Sequence, residues 1–317
     1  MSKHSSKILL LDTVHPDFPA MLESIGYEVH IKSITSESEL KAIIAGYKGL
    51  IVRSAPPVTA SIIESADSLR FIARAGSGIE SIDYAFARKK GIEVIHSPEG
   101  NSNAVGEHAL GLTIGLLKKI PSSWMQVKQG LWHRESNRGT ELAGMTVGII
   151  GYGNTGTAFA RKLKGMDVKI LAFDKYKTGF SDDVVKETDL ETLSQKSDVI
   201  SFHVPLTQET HHYADNLFFS KLGKSAIVLN TSRGSVVSSE ALVKAMKEGK
   251  VVGAGLDVVE WETYDFHLSK NINQKHISYL LQSDNVIITP HIAGITHEAR
   301  LRHARVLIQK ISLLKLN

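Results

Sequence analysis

The stretch "TVGIIGYGNTG", Thr146 to Gly156, sets Gly151-x-Gly153-x-x-Gly156 directly behind an apolar run. "TVGII" reads as a buried strand and "TGTAFARKLKG" as the helix after it, which is the context this glycine spacing requires. Gly151 permits a tight turn, Gly153 lets a pyrophosphate approach the backbone, and Gly156 lets helix and strand pack closely. The helix N-terminus then offers unpaired N–H donors to phosphates. "VKILAFDKY" supplies a second strand ending in Asp174, about twenty residues on, where an acidic side chain suits the adenosine ribose hydroxyls and repels a 2′-phosphate. The pattern therefore points to NAD in preference to NADP. Lys175 and Lys177 weaken that preference without reversing it.

This loop arrives almost halfway along 317 residues. Before it lie "KILLLD", "YEVHI", "GLIVRS", "LRFIARAG" and "IEVIHSP", separated by segments of helical periodicity such as "SELKAIIAGY" and "TASIIESA", the latter opened by Thr59 as a cap. After "TVGIIG" come "VKILAFD", "SDVISFHVP", "SAIVLNTS", "VVGAGLD" and "NVIITP". Strand–helix alternation of this kind implies parallel sheets covered by helices on both faces, an α/β class. Two such runs predict two doubly wound domains, not one sheet of eleven strands. "NSNAVGEHALGLTIGLLKKI" predicts one core helix packed closely through its glycines, capped by Asn101 or Asn103. The segment through Trp124 and Trp132 reads as an arm that is extended after Gly130. "THEARLRHARVLIQKISLL" predicts an amphipathic helix with Leu301, Val306, Leu307, Ile311 and Leu314 on its apolar face.

A hydrophobic share of 42% and a charged share of 22% describe a globular chain. The absence of cysteine excludes disulfides, thiolate metal sites and cysteine nucleophiles. The apolar run of "MSKHSSKILLLD" is too short for a signal peptide, and no run nears the roughly 18 apolar residues of a membrane span, so a cytoplasmic location is expected. The net charge of +4 is scattered, without a basic tail, and predicts neither nucleic-acid nor membrane binding. His203, His211, His212, His297 and His303 show no metal-ligand grouping with carboxylates and read as structural or exposed; no metal is expected.

"RAGSGIESID", "AVGEHALGL", "GTELAGMTVGIIGYGNTG", "HVPLTQET", "NTSRGSVV", "GLDVVEWET" and "TPHIAG" together resemble the D-isomer-specific 2-hydroxyacid dehydrogenases, with D-3-phosphoglycerate dehydrogenases as the most similar branch. The resemblance implies a flavodoxin-like substrate domain split in sequence, 1–101 and 291–317, with a Rossmann NAD-binding domain, 102–290, inserted into it. It places the reaction in the cleft between them. Arg233 would hold the substrate's carboxylate and keto oxygen, which suits a planar guanidinium. His291 would be the acid/base, a task that imidazole suits because it ordinarily titrates near working pH. Glu262 would orient that imidazole and stabilise its protonated form. The family usually has proline after this glutamate and Thr263 stands here, so Glu260, two residues earlier, is kept as a fallback. The following segment through residue 284 is longer and more polar than usual.

The resemblance further implies that Gly151, Gly153, Asn154, Thr155 and Gly156 face the pyrophosphate, where many relatives carry arginine in place of Asn154. Val204 and Pro205 would line the adenine, Thr231 and Ser232 approach the nicotinamide ribose, Asp257 accept from the nicotinamide carboxamide, and Gly294 close the loop after His291. Arg53, Ser54, Gly76, Ser77 and Gly78 would join Arg233 and His291 in holding substrate. Arg53 and Arg74 supply the charge that a phosphorylated substrate demands, yet Ala55-Pro56-Pro57 lacks the second basic residue of several phosphate-specific members. 3-Phosphoglycerate is the leading substrate; glyoxylate, hydroxypyruvate and other D-2-hydroxy acids are the alternatives. The family implies a homodimer. The chain ends soon after its last helix, so no appended regulatory domain and no serine feedback are expected. Formate dehydrogenases carry glutamine for the glutamate partner and are disfavoured. A non-catalytic NAD-sensing interaction protein is the reading from a different class.

Overall fold

A computed structural model describes residues 6–12, 14–53, 56–263, 266–269 and 275–314. It divides into two compact units, residues 1–101 with 295–317 and residues 102–294. The second boundary falls after Gly294, so His291 belongs to the middle unit.

The first unit opens with β1 (Ser6–Leu10), α1 (Phe18–Ser24), β2 (Tyr27–Ile31), α2 (Glu37–Ile43), β3 (Gly49–Val52), α3 (Ala60–Glu64), β4 (Phe71–Arg74), α4 (Tyr84–Lys89) and β5 (Glu93–His96). The middle unit contains α5 (Ser102–Leu117), α6 (Ile120–Lys128), β6 (Thr146–Ile150), α7 (Asn154–Leu163), β7 (Lys169–Phe173), β8 (Val185–Glu187), α8 (Leu190–Lys196), β9 (Val199–Phe202), α9 (Asn216–Ser220), β10 (Ala226–Asn230), α10 (Ser239–Lys247), β11 (Val251–Leu256), α11 (Lys275–Gln282) and β12 (Val286–Ile288). α12 (His297–Ser312) returns to the first unit.

In the first unit five parallel strands run in the order β2-β1-β3-β4-β5, the flavodoxin-like arrangement. Alternation along each strand divides its side chains between two cores. Ile8, Leu10, Ile51, Phe71 and Ala73 meet Phe18 and Leu22 of α1 and Ala304, Leu307 and Ile311 of α12. Leu9, Leu50, Val52 and Ile72 meet Leu40, Ile62, Ile63 and Ala87 on the other face. Thr59 caps α3, its hydroxyl accepting from Ile62 N–H. On α12, Leu307 and Ile311 are buried, Leu301, Val306 and Leu314 half-buried, and His303 joins the buried face.

The middle unit holds seven parallel strands in the order β12-β11-β10-β9-β6-β7-β8, the doubly wound dinucleotide-binding topology with one strand added. The direction of winding reverses between β6 and β9. One face packs Ile150, Ile200, Phe202, Val228 and Leu256 against Phe218, Phe219 and Leu242. The other packs Val147, Ile149, Val199 and Leu229 against Ala109, Leu112, Phe159 and Leu163. α5 reaches α7 closely because Gly106 has no side chain; a Cβ there would lie 2.8 Å from the Ala158 backbone. One element differs from the sequence reading, and another lies where that reading assigned none. β8 is a three-residue edge strand with only Val185 buried, too short to give an apolar run. The segment before Gly130 is the helix α6, set off from α5 by Lys119 in left-handed conformation.

Candidate active site

In a parallel sheet every strand delivers its carboxyl end to the same edge, and ligands bind there at the point where the winding reverses. In the middle unit that edge carries Gly151 after β6, Asp174 after β7, His203 to Pro205 after β9, Thr231 to Arg233 after β10, Asp257 to Glu262 after β11 and Thr289 to His291 after β12. The sequence residues expected to bind and react in this unit therefore share one edge.

The three glycines of the opening loop serve three needs. Gly151 sits at φ +92°, and a Cβ on it would meet the His203 carbonyl at 2.7 Å. On Gly156 a Cβ would lie 2.1 Å from the Gly151 carbonyl, so helix and turn touch backbone to backbone. Gly153 is different: a Cβ there would meet nothing within 4 Å. Gly153 also forms the N-cap of α7 without a side-chain cap, so the first-turn N–H groups keep no side-chain acceptor. Open space in front of uncapped N–H groups suits a pyrophosphate. Thr231 adds a second sign of fit, since its Oγ1 is buried without a hydrogen-bond partner at the end of β10. These residues fit a bound dinucleotide. Thr155, in contrast, turns its hydroxyl to His203 Nδ1 at 3.2 Å. Burial drives the ring of His203 down to about 3, so it stays neutral in this loop.

Asp174 accepts from Tyr152 N–H at 2.8 Å, Tyr176 N–H at 2.9 Å and Lys177 N–H at 3.1 Å. Its carboxylate thus ties β7 to the glycine loop. Lys175 is paired with Glu209, and Lys177 lies over the stacked rings of Tyr152 and Phe180 while donating to the Tyr152 carbonyl. Both lysines that weakened the NAD preference have protein partners.

The side chains expected from the sequence to react are set by short bonds. His291 Nδ1 donates to Glu262 Oε1 at 2.8 Å, which fixes the tautomer and leaves Nε2 as the ring nitrogen without a proton. A hydrogen bond to a charged group contributes about 1.5–3 kcal/mol, comparable with the entropy lost in fixing the glutamate side chain. Glu260 does not compete. Its carboxylate accepts from His212 Nε2 at 2.7 Å and from Ser239 N–H at 2.6 Å. Burial works to raise the Glu260 carboxyl, but these bonds outweigh it and hold the group below the ordinary carboxylate range. The fallback failed because Glu262 N–H bonds to the Val259 carbonyl, and a turn, unlike a strand, does not return every second side chain to one side.

Arg233 closes β10 in a turn built by Asn230, a fully buried residue that the sequence reading passed over. Asn230 Oδ1 accepts from Ser232 N–H and Oγ at 3.1 and 2.9 Å, while its Nδ2 donates to the Arg233 carbonyl at 2.9 Å. Arg233 Nη1 donates to the Ser232 carbonyl at 2.8 Å. Asp257, 1% exposed, organises the other side. Its Oδ1 accepts from Thr289 Oγ1 at 2.6 Å and Ile292 N–H at 2.9 Å, and its Oδ2 from Ala293 N–H at 2.8 Å. His291 N–H donates to its main-chain carbonyl at 2.8 Å. His108, also missed, donates through Nε2 to Thr289 Oγ1 at 2.9 Å and stands 3.4 Å from the Asp257 carboxylate. A carboxylate accepts about four bonds, so Asp257 holds the loop of His291 with one direction left over.

Within the first unit, Gly76, Ser77 and Gly78 form a braced turn. His96 Nδ1 donates to the Ser77 carbonyl at 2.6 Å, Arg74 Nη1 to the Gly78 carbonyl at 2.6 Å, and Ser77 Oγ to Asn101 Oδ1 at 2.7 Å. Arg53 lies 3.9 Å from Asp12. Ser54 lies outside the described residues. Among the described residues no group of three or more His, Asp or Glu side chains forms a metal set, and no helix is long and apolar enough to cross a membrane.

Comparison with known proteins places the chain in a family. Residues 110–293 match the family model for the D-isomer-specific 2-hydroxyacid dehydrogenase NAD-binding domain. A hydroxypyruvate reductase of Thermotoga maritima is 40% identical over 88% of this chain and 89% of its own length. A D-3-phosphoglycerate dehydrogenase of Archaeoglobus fulgidus is 36% identical over 96% of this chain, which spans only 56% of that relative's length. The crystal structure of a D-lactate dehydrogenase from Aquifex aeolicus, complexed with NAD and lactic acid, superposes with a TM-score of 0.81 at 28% identity, covering 96% of this chain and 94% of that one. With its glycine loop, its Glu262–His291 pair and this span of similarity, the chain belongs to the D-isomer-specific 2-hydroxyacid dehydrogenase family, whose middle NAD-binding domain it carries.

Proposed function

We propose that the protein transfers a hydride, with NAD as cofactor, between the nicotinamide and C2 of a D-2-hydroxy acid or its 2-keto acid. The observation that carries this reading is the 2.8 Å bond from His291 Nδ1 to Glu262, which leaves Nε2 ready to exchange a proton. Bound at the glycine loop, NAD supplies or accepts the hydride. Every other task falls to side chains. In the oxidative direction His291 Nε2 takes the hydroxyl proton, and Glu262 stabilises the imidazolium that results. In reduction the same atom returns that proton to the keto oxygen. Arg233 binds the carboxylate and polarises the carbonyl with a fork of N–H donors. Gly76, Ser77, Gly78 and Ser54 are proposed to help hold the carboxylate. Asn154, Val204, Pro205, Ser232 and Gly294 are proposed to line the cofactor.

For the substrate we take 3-phosphohydroxypyruvate first, supported by the basic side chains Arg53, Arg74 and Arg302, whose charges all act on His303. Hydroxypyruvate is the second reading. The Arg53–Asp12 pair favours it by engaging one of those cations. A cytoplasmic homodimer is part of the proposal, supported by the exposure of Trp124, Met125 and Trp132. NADH oxidation against a panel of 3-phosphohydroxypyruvate, hydroxypyruvate, glyoxylate and pyruvate tests it. Tight NADH binding with no turnover of any keto acid would instead favour an NAD-sensing interaction protein.

A further inference from the structure

Thr263 directly follows Glu262, and the structure gives it a use. Glu262 and Leu268 form an antiparallel bridge, and Ser269 N–H donates to the Trp261 carbonyl at 2.8 Å. Within this short hairpin Thr263 bonds three times to one residue. Its N–H donates to the His267 carbonyl at 2.7 Å, and its Oγ1 accepts from His267 N–H at 3.1 Å. The same hydroxyl reaches the His267 carbonyl at 2.8 Å. Proline at this position has neither the N–H nor the hydroxyl.

The hairpin delivers a second side chain to His291. Phe266 N–H donates to the Thr263 carbonyl at 3.0 Å, and Phe266 adopts φ +64°, a left-handed backbone that a bulky residue rarely takes. The Phe266 and His291 rings then lie 5.0 Å apart at 80°, an edge-to-face contact. Phe266 is 46% exposed, so burial in a core does not account for its place. Backbone conformations of this kind persist where neighbouring structure holds them, and they concentrate at functional sites.

We propose that Phe266 is a positioning residue for His291, and that Thr263 holds it there. The bond to Glu262 holds Nδ1, but the ring can still turn about its two side-chain torsions away from that bond. The perpendicular ring of Phe266 removes that freedom, so Nε2 is presented in one direction. Two points of contact, both carried by one hairpin, clamp the acid/base. The role in catalysis rests on the dehydrogenase reading above; the clamp itself does not.

Two readouts separate the two. The first is nitrogen NMR of the His291 ring in the whole protein with NADH bound, which needs no turnover. By letting the ring turn away from Glu262, Thr263→Pro and Phe266→Leu are expected to move the ring nitrogens from a fixed Nδ1–H tautomer towards the tautomer average, while Thr263→Ser and Phe266→Tyr keep the wild-type shifts. The second is steady-state kinetics with the best keto acid. Thr263→Pro and Phe266→Leu should lower kcat about tenfold, the scale of a small misplacement of a reacting group, and displace the pH profile of kcat, with the NADH Kd unchanged. Tyrosine at 266 should restore both. Unchanged ring shifts in Phe266→Leu overturn the clamp. If the wild type turns over no keto acid while the ring shifts move as expected, the dehydrogenase reading fails and the clamp stands.

Discussion

Gly234 brings the Arg233 turn so close to Val259 that a Cβ at residue 234 would lie 2.0 Å from the Val259 carbonyl oxygen. The turn after β10 and the segment leading to Glu262 are therefore in register through bare backbone. Gly234→Ala forces one of them to move. We expect kcat/KM for the keto acid to fall about 100-fold, the cost of a displacement near 1 Å, with NADH affinity held within about twofold. Stopped-flow and fluorescence titration measure the two, and wild-type kinetics in this variant would show that the close approach is immaterial.

His291→Asn should remove proton transfer while sparing the fold. The expected loss is about 10²–10⁴ in kcat, the usual contribution of a positioned acid/base, with NADH still bound. Glu262→Gln should cost less, because the amide oxygen still accepts from Nδ1 but carries no charge to stabilise an imidazolium. A kcat for His291→Asn within about threefold of wild type is incompatible with the role given to Nε2.

The glycine loop offers a paired test of the cofactor site. Gly156→Ala meets the Gly151 carbonyl at 2.1 Å and should lower the melting temperature, with NADH binding lost along with the fold. Gly153→Ala meets no protein atom and should leave the melting temperature near wild type, yet weaken NADH at least about tenfold by filling the approach to the pyrophosphate. Equal NADH affinity in Gly153→Ala and wild type would place the cofactor elsewhere.

His303 gives the first unit a pH dependence. Burial lowers its ring to about 4 from 6.5; the bond to Ser97 opposes this, and Arg74, Arg53 and Arg302 reinforce it. Between pH 6.5 and about 4 the unfolded chain binds a proton that the native ring refuses. Stability is thus fully present above 6.5, falls as pH drops through that window, and levels for this group below about 4, a loss of up to about 3 kcal/mol. Denaturant titrations at several pH values should show a shallower slope in His303→Asn. Parallel slopes would mean that the buried ring does not couple to unfolding.

Trp124 and Trp132 stand 60% and 78% exposed on and just beyond α6. If they lie at a homodimer interface, Trp132→Ser should shift the sedimentation coefficient towards the monomer at micromolar concentration. A wild-type protein that sediments as a monomer would already count against the arm.

Elements with a buried apolar run are legible in the sequence. β1, β6, β9 and β10 are such runs, and their order along the chain was enough to imply two sheets. β8 was not, since Val185 is its only buried residue, and a single valine has no period. At the candidate site the sequence placed Glu262 and His291 by resemblance, and the structure joins them directly. Glu260 was misjudged because its direction depends on a turn at Val259, which no alternation rule anticipates. Asn230 and His108 were invisible for another reason. Their importance lies in bonds to Arg233 and Thr289, and a hydrogen bond between distant residues leaves no mark on local composition. Phe266 required a left-handed backbone angle and a hairpin to become a neighbour of His291.

Ser97 and His303 bond at 2.7 Å although 206 positions separate them in the chain. The first sheet packs Ile8, Leu10, Phe71 and Ala73 against both α1 and α12, so this core is only partly covered until α12 has been synthesised. The middle unit, by contrast, draws its strands from one continuous stretch. On the ribosome the middle unit can therefore complete itself first, while the strands made earliest wait with one apolar face only partly covered, by α1. For this chain the order of synthesis need not be the order of folding, and part of one apolar face of the first sheet stays uncovered until α12 emerges.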